Sequence, residues 1–285
     1  MTRPIRNHRR SKEEIEAIEC ALFDLLADEN PMTVRQIFYR MVSLGAIDKT
    51  EAEYKGTICR LLARMRKQGV LPFGWIADNT RWMRKPQSHT GMEAALMRCA
   101  ETYRRDLWAE LPAYVEIWLE KDALAGVLYE ETHSWDVPLM VTRGYPSLSY
   151  LYEAAEAISA RDKPAFLYYF GDYDPSGVDI PRTVERSLRE YAPEAEIYFE
   201  RMAVSPLQIE AWGLPTRPTK KTDSRSKNFE GESVEVDAIP PQTLRELVRE
   251  CVVQHIDADV FTRLEKIEAA ERETLMRVVE VMGAQ

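Results

Sequence analysis

Ala165-Phe166-Leu167-Tyr168-Tyr169-Phe170-Gly171-Asp172-Tyr173-Asp174-Pro175-Ser176-Gly177 is the stretch on which the reading of this chain turns. Its first half is a short apolar run rich in aromatic residues, the pattern of a buried strand. Two carboxylates follow at once, Asp172 and Asp174. Side chains two apart in an extended segment point the same way, so these carboxylates share a face. Asp-Pro-Ser-Gly is also good turn chemistry, so the segment alone is compatible with a plain turn.

Outward from it, strands and helices alternate. Tyr114 to Leu119 reads as a strand ending at Glu120, Ala123 to Glu131 as a helix, and Val137 to Val141 as a second strand. A helix from Leu148 to Ala160 precedes the quoted strand, a helix from Val178 to Tyr191 follows it, and Ile197 to Val204 contains a fourth strand. Such alternation predicts an α/β fold, a parallel sheet with helices on its faces. Ligands in these sheets sit at the carboxyl ends of the strands. Glu120 ends the first strand and Asp172 and Asp174 end the third, so three hard oxygen donors are expected at one edge, a set suited to Mg²⁺ with water and phosphate. Glu120 alone would pass for a salt-bridged surface residue. The joint placement on two strand ends favours the site.

Before the sheet the periodicity is helical. Ile15, Ile18, Leu22, Leu25 and Leu26 form one stripe, broken at Asn30-Pro31. Thr33 can cap a second helix carrying Val34, Ile37, Phe38, Met41 and Val42, and Gly45 can end it. Thr50 with Glu53 opens a third, with Tyr54, Ile58, Leu61, Leu62 and Met65 inward and Gly69 at its end. Val70 to Ala77 then reads as the strands or wing after a helix-turn-helix. Lys55, Arg60, Arg64 and Lys67 lie off the buried stripe, where a winged-helix-like domain would present them to DNA. After the sheet, residues 215 to 233 are polar and read as a mobile loop, with Lys220, Lys221, Arg225 and Lys227 in either a plain linker or a second phosphate contact. Helical stretches from Thr243 to His255 and from Val260 to Val281 close the sequence.

Charge agrees with this division. The 285 residues carry a formal net charge of −9, but the balance is uneven: residues 1 to 110 are net basic and the remainder strongly acidic. From Lys55 to Lys85, Lys55, Arg60, Arg64, Arg66, Lys67, Arg81, Arg84 and Lys85 are opposed only by Asp78. Such a cluster can hold phosphates whatever the global charge. With 45% hydrophobic and 30% charged residues the chain has an ordinary globular composition. No apolar run approaches the ~20 residues of a membrane span, and the first residues lack the apolar stretch of a secretory signal, so a cytoplasmic protein is expected. Cys20, Cys59, Cys99 and Cys251 form no CxxC pair, which argues against a zinc ribbon or redox motif. There is no phosphate-binding loop of the P-loop kind.

Three segments together resemble a known family: a strand ending in Glu120-Lys121, then Arg143-Gly144-Tyr145-Pro146, then Gly171-Asp172-Tyr173-Asp174-Pro175-Ser176-Gly177-Val178-Asp179-Ile180. They are similar to the Toprim domain, a Rossmann-like parallel sheet, of type II topoisomerases. The likeness is greatest to the A subunit of topoisomerase VI, the related meiotic double-strand-break protein and small stand-alone relatives. It covers roughly residues 114 to 205. It implies a metal site at Glu120, Asp172 and Asp174, taking Mg²⁺ with Mn²⁺ as substitute, and Arg143 beside the DNA. It also implies a nucleophilic tyrosine in the preceding domain, where Thr33-Val34-Arg35-Gln36-Ile37-Phe38-Tyr39 points to Tyr39. Tyr39 falls about 130° from the centre of its helix's apolar stripe, and Arg35 shares its face and can favour phenolate.

The expectations are therefore a winged-helix-like domain over residues 1–110, a Toprim domain over 111–210, and a basic loop with C-terminal helices over 211–285. The expected function is cleavage of double-stranded DNA through a tyrosyl-DNA link by a two-fold homodimer, the tyrosine of one subunit meeting the metal of the other. Any ATPase would be a separate subunit. The alternatives are a Toprim nuclease using metal-activated water and a DNA-binding protein without chemistry. An Asp-x-Asp phosphatase fits less well, since no Thr or Val follows Asp174.

Overall fold

The computed structural model describes residues 10–77, 86–218, 229 and 231–283. Helix α1, Lys12–Glu29, is capped by Ser11 and Glu14 in a reciprocal capping box and buries Ile18, Leu22, Leu25 and Leu26. Thr33 and Gln36 form the same box at the start of α2, Val34–Ser43. The third helix, α3, runs through Glu51–Glu53, a π-helical stretch Tyr54–Cys59, and Arg60–Lys67. These three helices meet the expectation, but the segment after them does not. Phe73–Trp75 is a 3₁₀ turn, and a single parallel bridge from Ile76 to Met32 takes the place of a strand pair. Pro72 fixes the turn there, and the exposed Phe73 ring lies under the Arg66 guanidinium, 4.4 Å away.

Helix α4, Met92–Thr102, leads to the sheet: β1 Tyr114–Leu119, β2 Leu139–Val141, β3 Ala165–Phe170 and β4 Ile197–Ala203. The strands are all parallel, in the order β2-β1-β3-β4. The chain thus builds to one side of β1 and then reverses to the other, which makes the β1/β3 boundary the switch point where such sheets bind ligands. The connections are α5 Ala125–Ser134, α6 Leu148–Ser159 and α7 Pro175–Tyr191. Helix α7 starts at Pro175 with Asp174 as N-cap, so Asp-Pro-Ser-Gly is a helix entry rather than a free turn.

Each sheet face packs differently. Tyr114 and Trp118 of β1 and Leu167 and Tyr169 of β3 join α6 and α7 through Leu151, Ala155, Ile158, Val184 and Leu188. The alternate residues Val115, Ile117, Leu119, Tyr168 and Phe170 join α5 and α9, Pro241–Val253, in an apolar core that runs on into α1, α2 and α3. The N-terminal helices therefore share a core with the sheet. A short helix α8, Pro206–Ala211, follows β4, and the long C-terminal α10, Ala258–Gly283, packs on α4. No described helix is long and apolar enough to cross a membrane.

The polar stretch after α8, expected as a loop over residues 215–233, leads into a buried strap. Ser233 pairs antiparallel with Arg217, Val234 with Tyr173, and Val234, Val236, Ala238 and Ile239 enter the core. Lys220, Lys221, Arg225 and Lys227, like Arg81, Arg84 and Lys85, lie outside the described residues.

Candidate metal centre at the carboxyl edge of the sheet

The last register pair between β1 and β3 is Leu119 with Phe170, so the next residue of β1 stands beside Gly171. Glu120 donates its amide to the Phe170 carbonyl at 2.9 Å, and its Oε2 accepts the Asp172 amide at 3.0 Å. Glycine at 171 lets the two side chains beside it close in. A Cβ there would lie 2.6 Å from Glu120 Oε2 and 2.6 Å from the Tyr169 ring. Gly177 is more constrained still, since its Cβ would lie 2.1 Å from the Asp172 carbonyl oxygen. That close approach brings the first turn of α7 against the strand end. Asp174 Oδ1 accepts the Gly177 amide at 2.7 Å, and Arg201 from β4 donates to the carbonyls of Gly171, Asp172 and Gly177.

The strap completes the edge. Tyr173 and Val234 exchange backbone bonds of 2.8 and 2.9 Å, and the Val236 amide donates to Asp172 Oδ1 at 2.8 Å. This pairing carries two further buried carboxylates, Glu235 and Asp237, to the Lys121 ammonium. Lys121 Nζ lies 3.1 Å from Asp172 Oδ1 and 3.0 Å from Glu235 Oε2, and it also donates to Asp237 Oδ2. Glu235 Oε1 pairs with Arg217 at 2.7 Å, and its Oε2 lies 3.7 Å from Arg35 Nε. Arg217 also stands 3.7 Å from Asp174 Oδ2.

Proton affinities follow from burial and charge. Burial and the Asp172 charge push Glu120 up to about 7. Burial pushes Asp172 up to about 6, against the pull of Lys121 and of the Val236 amide. Burial opposes the charge on Lys121, but Asp237, Asp172 and Glu235 outweigh it and hold the ammonium above its ordinary range. Burial likewise opposes ionisation of Glu235, which Lys121, Arg217 and Arg35 reverse.

The donor set has the right chemistry for a hard divalent cation: three carboxylates on adjacent strand ends, two of them destabilised as anions. Each has one oxygen bonded, Glu120 Oε2 to Asp172 N, Asp172 Oδ1 to Val236 N and Lys121, and Asp174 Oδ1 to the helix cap, while Asp174 Oδ2 faces the looser 3.7 Å ion pair with Arg217. No three of the described acidic, His or Cys side chains already close on a common point as a metal cage. The donors fit the ion in kind, with Glu120 Oε1, Asp172 Oδ2 and Asp174 Oδ2 as the oxygens that would hold it.

Tyr39 departs from the expectation drawn from its helix. Although off the apolar stripe of α2, it is only 4% exposed, because the 3₁₀ turn Val236–Ala238 of the strap covers that side of the helix. Burial and the charges of Glu235 and Asp237 raise its pKa above the ordinary phenol, against the opposing effect of Arg35 and Lys121. Lys49 stands over its ring at 5.3 Å, held by the carbonyls of Pro215 and Thr216. Arg35 lies over the Tyr54 ring at 4.6 Å. Tyr39 and Arg35 thus border the Lys121–Glu235 network of their own chain.

Of the expected DNA-facing residues, four lie on α3, one stands beside this edge and one lies outside the described residues. Lys55 is exposed and paired with Glu51, Arg60 is exposed and bonded to the Gly56 carbonyl, Arg64 is tied to Glu19, and Lys67 is exposed. Arg143, in left-handed backbone at φ 54°, pairs with Asp122 at 3.2 Å next to the Glu120-Lys121 turn. Lys221 lies outside the described residues. Reading the sequence missed Glu235, Asp237 and Arg217. The signal was the alternation Val234-Glu235-Val236-Asp237, a strand-like repeat just after the stretch that read as loop.

No protein-family model matches the chain, and no curated protein matches it.

Proposed function

We propose that the chain is a magnesium-dependent enzyme that breaks the phosphodiester backbone of double-stranded DNA at a Toprim-like site, in the manner of a small stand-alone relative of the topoisomerase VI A subunit. The observation that carries this reading is the placing of Glu120 and Asp172 on adjacent strand ends at the switch point of a parallel sheet, with Asp174 two residues on. Buried carboxylates whose charges repel each other favour a cation that relieves them. Bound at Glu120, Asp172 and Asp174, Mg²⁺ would supply charge neutralisation at the phosphate oxygens and an activated water.

The chain's own residues do the rest. Lys121 offers a fixed positive charge beside Asp172, held by Glu235 and Asp237. Arg201 fixes the carbonyls that orient Asp172 and the entry to α7. In this proposal α1 to α3 form the winged-helix-like part, with Arg60, Arg64 and Lys67 gripping DNA phosphates.

Burial of Tyr39 favours water as the nucleophile in this conformation. The tyrosyl route is the second reading, supported by the position of Tyr39 and Arg35 on the border of the Lys121–Glu235 network. It requires the strap to uncover the phenol, and it carries with it the two-fold dimer and, for strand passage, a separate ATPase subunit. The experiment is to incubate protein with plasmid and linear duplex in Mg²⁺ or Mn²⁺ and stop with detergent. Metal-dependent nicks or breaks that vanish in Asp174→Ala support the proposal. Intact DNA after long incubation refutes it. Free 5′ and 3′ ends that persist in Tyr39→Phe select water, whereas DNA in the protein band that Tyr39→Phe abolishes selects the tyrosine.

A further inference from the structure

The strap fixes an ammonium beside one carboxylate of this edge. Two-metal phosphodiester enzymes place their ions roughly 3.5–4 Å apart, sharing a carboxylate, so that one cation faces the attacking oxygen and the other the leaving oxygen. Here one oxygen of Asp172 is already taken, by the Val236 amide and Lys121. Lys121 Nζ stands 3.1 Å from Asp172 Oδ1, with Glu235 Oε2 at 3.0 Å and Asp237 Oδ2 closing a cage of three carboxylates. The three are 7, 7 and 3% exposed. Strap pairing at Tyr173–Val234 and the Val236 amide on Asp172 fix the cage relative to the strand end.

We propose that Lys121 takes the place of a second metal ion, so that the centre is built for one divalent cation, held by Glu120, Asp172 and Asp174, with the ammonium as its partner charge. The inference rests on the metal-site reading above. Charge balance supports it. Glu120, Asp172, Asp174, Glu235 and Asp237 face Lys121, Arg217 and Arg35, with Arg201 behind the strand-end carbonyls. Arg201 bonds to carbonyls rather than carboxylates, and the five carboxylates against the three facing cations leave two negative charges, which one divalent ion covers. An ammonium is also a compact point charge suited to phosphate. In this arrangement Glu235 and Asp237 are positioning residues, acting through Lys121 rather than on the substrate.

The test counts metal ions by calorimetric titration of the full chain with Mn²⁺. Wild type should bind one ion. Lys121→Met, which keeps the stem and removes the charge, should bind two, and Lys121→Arg one. Two ions in wild type, or a single ion in a folded Lys121→Met chain, would overturn the inference and leave the metal site standing. No ion in wild type would instead overturn the metal-site reading itself. Where Lys121→Met is unfolded without metal, refolding in Mn²⁺ is the deciding measurement. Recovery of the wild-type circular dichroism with two ions bound is expected, and failure to recover overturns the inference.

Discussion

Replacing Glu120 by Gln should make the metal-free protein more stable at alkaline pH while removing its affinity for metal. Burial and the neighbouring Asp172 raise Glu120 from 4.5 to about 7, with Asp174 adding to the rise and Lys121 and the Asp172 amide opposing it. A pKa higher in the folded chain than in the unfolded one means that the native state binds the proton more tightly. The contribution is therefore intact below pH 4.5, is lost as pH climbs through about 7, and is absent above. Each tenfold change in proton affinity is worth about 1.4 kcal/mol, so the full shift corresponds to about 3 kcal/mol, and partial solvation of the side chain makes about 2 kcal/mol a fair expectation. Gln carries no charge, and its amide oxygen can still accept the Asp172 N–H bond that Glu120 Oε2 now takes. Urea unfolding in chelator, followed by tryptophan fluorescence, should give Glu120→Gln about 2 kcal/mol over wild type at pH 8 and no advantage at pH 4.5. Adding Mg²⁺ at pH 8 should stabilise wild type and leave the variant unchanged. A variant less stable than wild type at pH 8, or a difference independent of pH, would show that the buried charge on Glu120 is not what destabilises the metal-free edge.

Gly177→Ala should cost about 1–3 kcal/mol or more, because the new Cβ meets the Asp172 carbonyl oxygen at 2.1 Å and backbone must move; an unchanged thermal midpoint would show that the helix entry has room to spare. Arg64→Ala with Lys67→Ala should flatten the dependence of log affinity on log salt by about 0.9 for each DNA phosphate no longer neutralised. Arg64 is also tied to Glu19, so the loss of about one such phosphate is the smaller expected outcome, and an unchanged slope would move the DNA elsewhere. Tyr39→Phe should leave metal-dependent cleavage intact where water is the nucleophile, read by end-labelled duplex on a denaturing gel.

The parts of the fold legible in the sequence were those set by local pattern. Apolar runs such as Ala165–Phe170 gave the parallel strands, and Thr33 and Thr50 marked two helix starts by cap chemistry. Asp172 and Asp174 were findable because strand ends are where parallel sheets bind ligands. Asp174 was half hidden, since Asp-Pro-Ser-Gly suits a turn as well as a helix entry, and only packing against Asp172 decides between them. The burial of Tyr39 was illegible in the helix that carries it, because what covers it is Val236–Ala238, almost two hundred positions away. The cage around Lys121 was hidden for the same reason. Glu235 and Asp237 acquire meaning only when Val234 pairs with Tyr173.

Whether a divalent ion sits at the carboxyl edge of the sheet can be read from anomalous diffraction of crystals soaked in Mn²⁺. A single peak is expected, bonded to oxygens of Glu120, Asp172 and Asp174 at about 2.1–2.2 Å, the range for small hard cations on carboxylates. The peak should be absent in Asp174→Ala. A peak at other residues, or no peak at Mn²⁺ concentrations that support DNA cleavage, would contradict the three-carboxylate site.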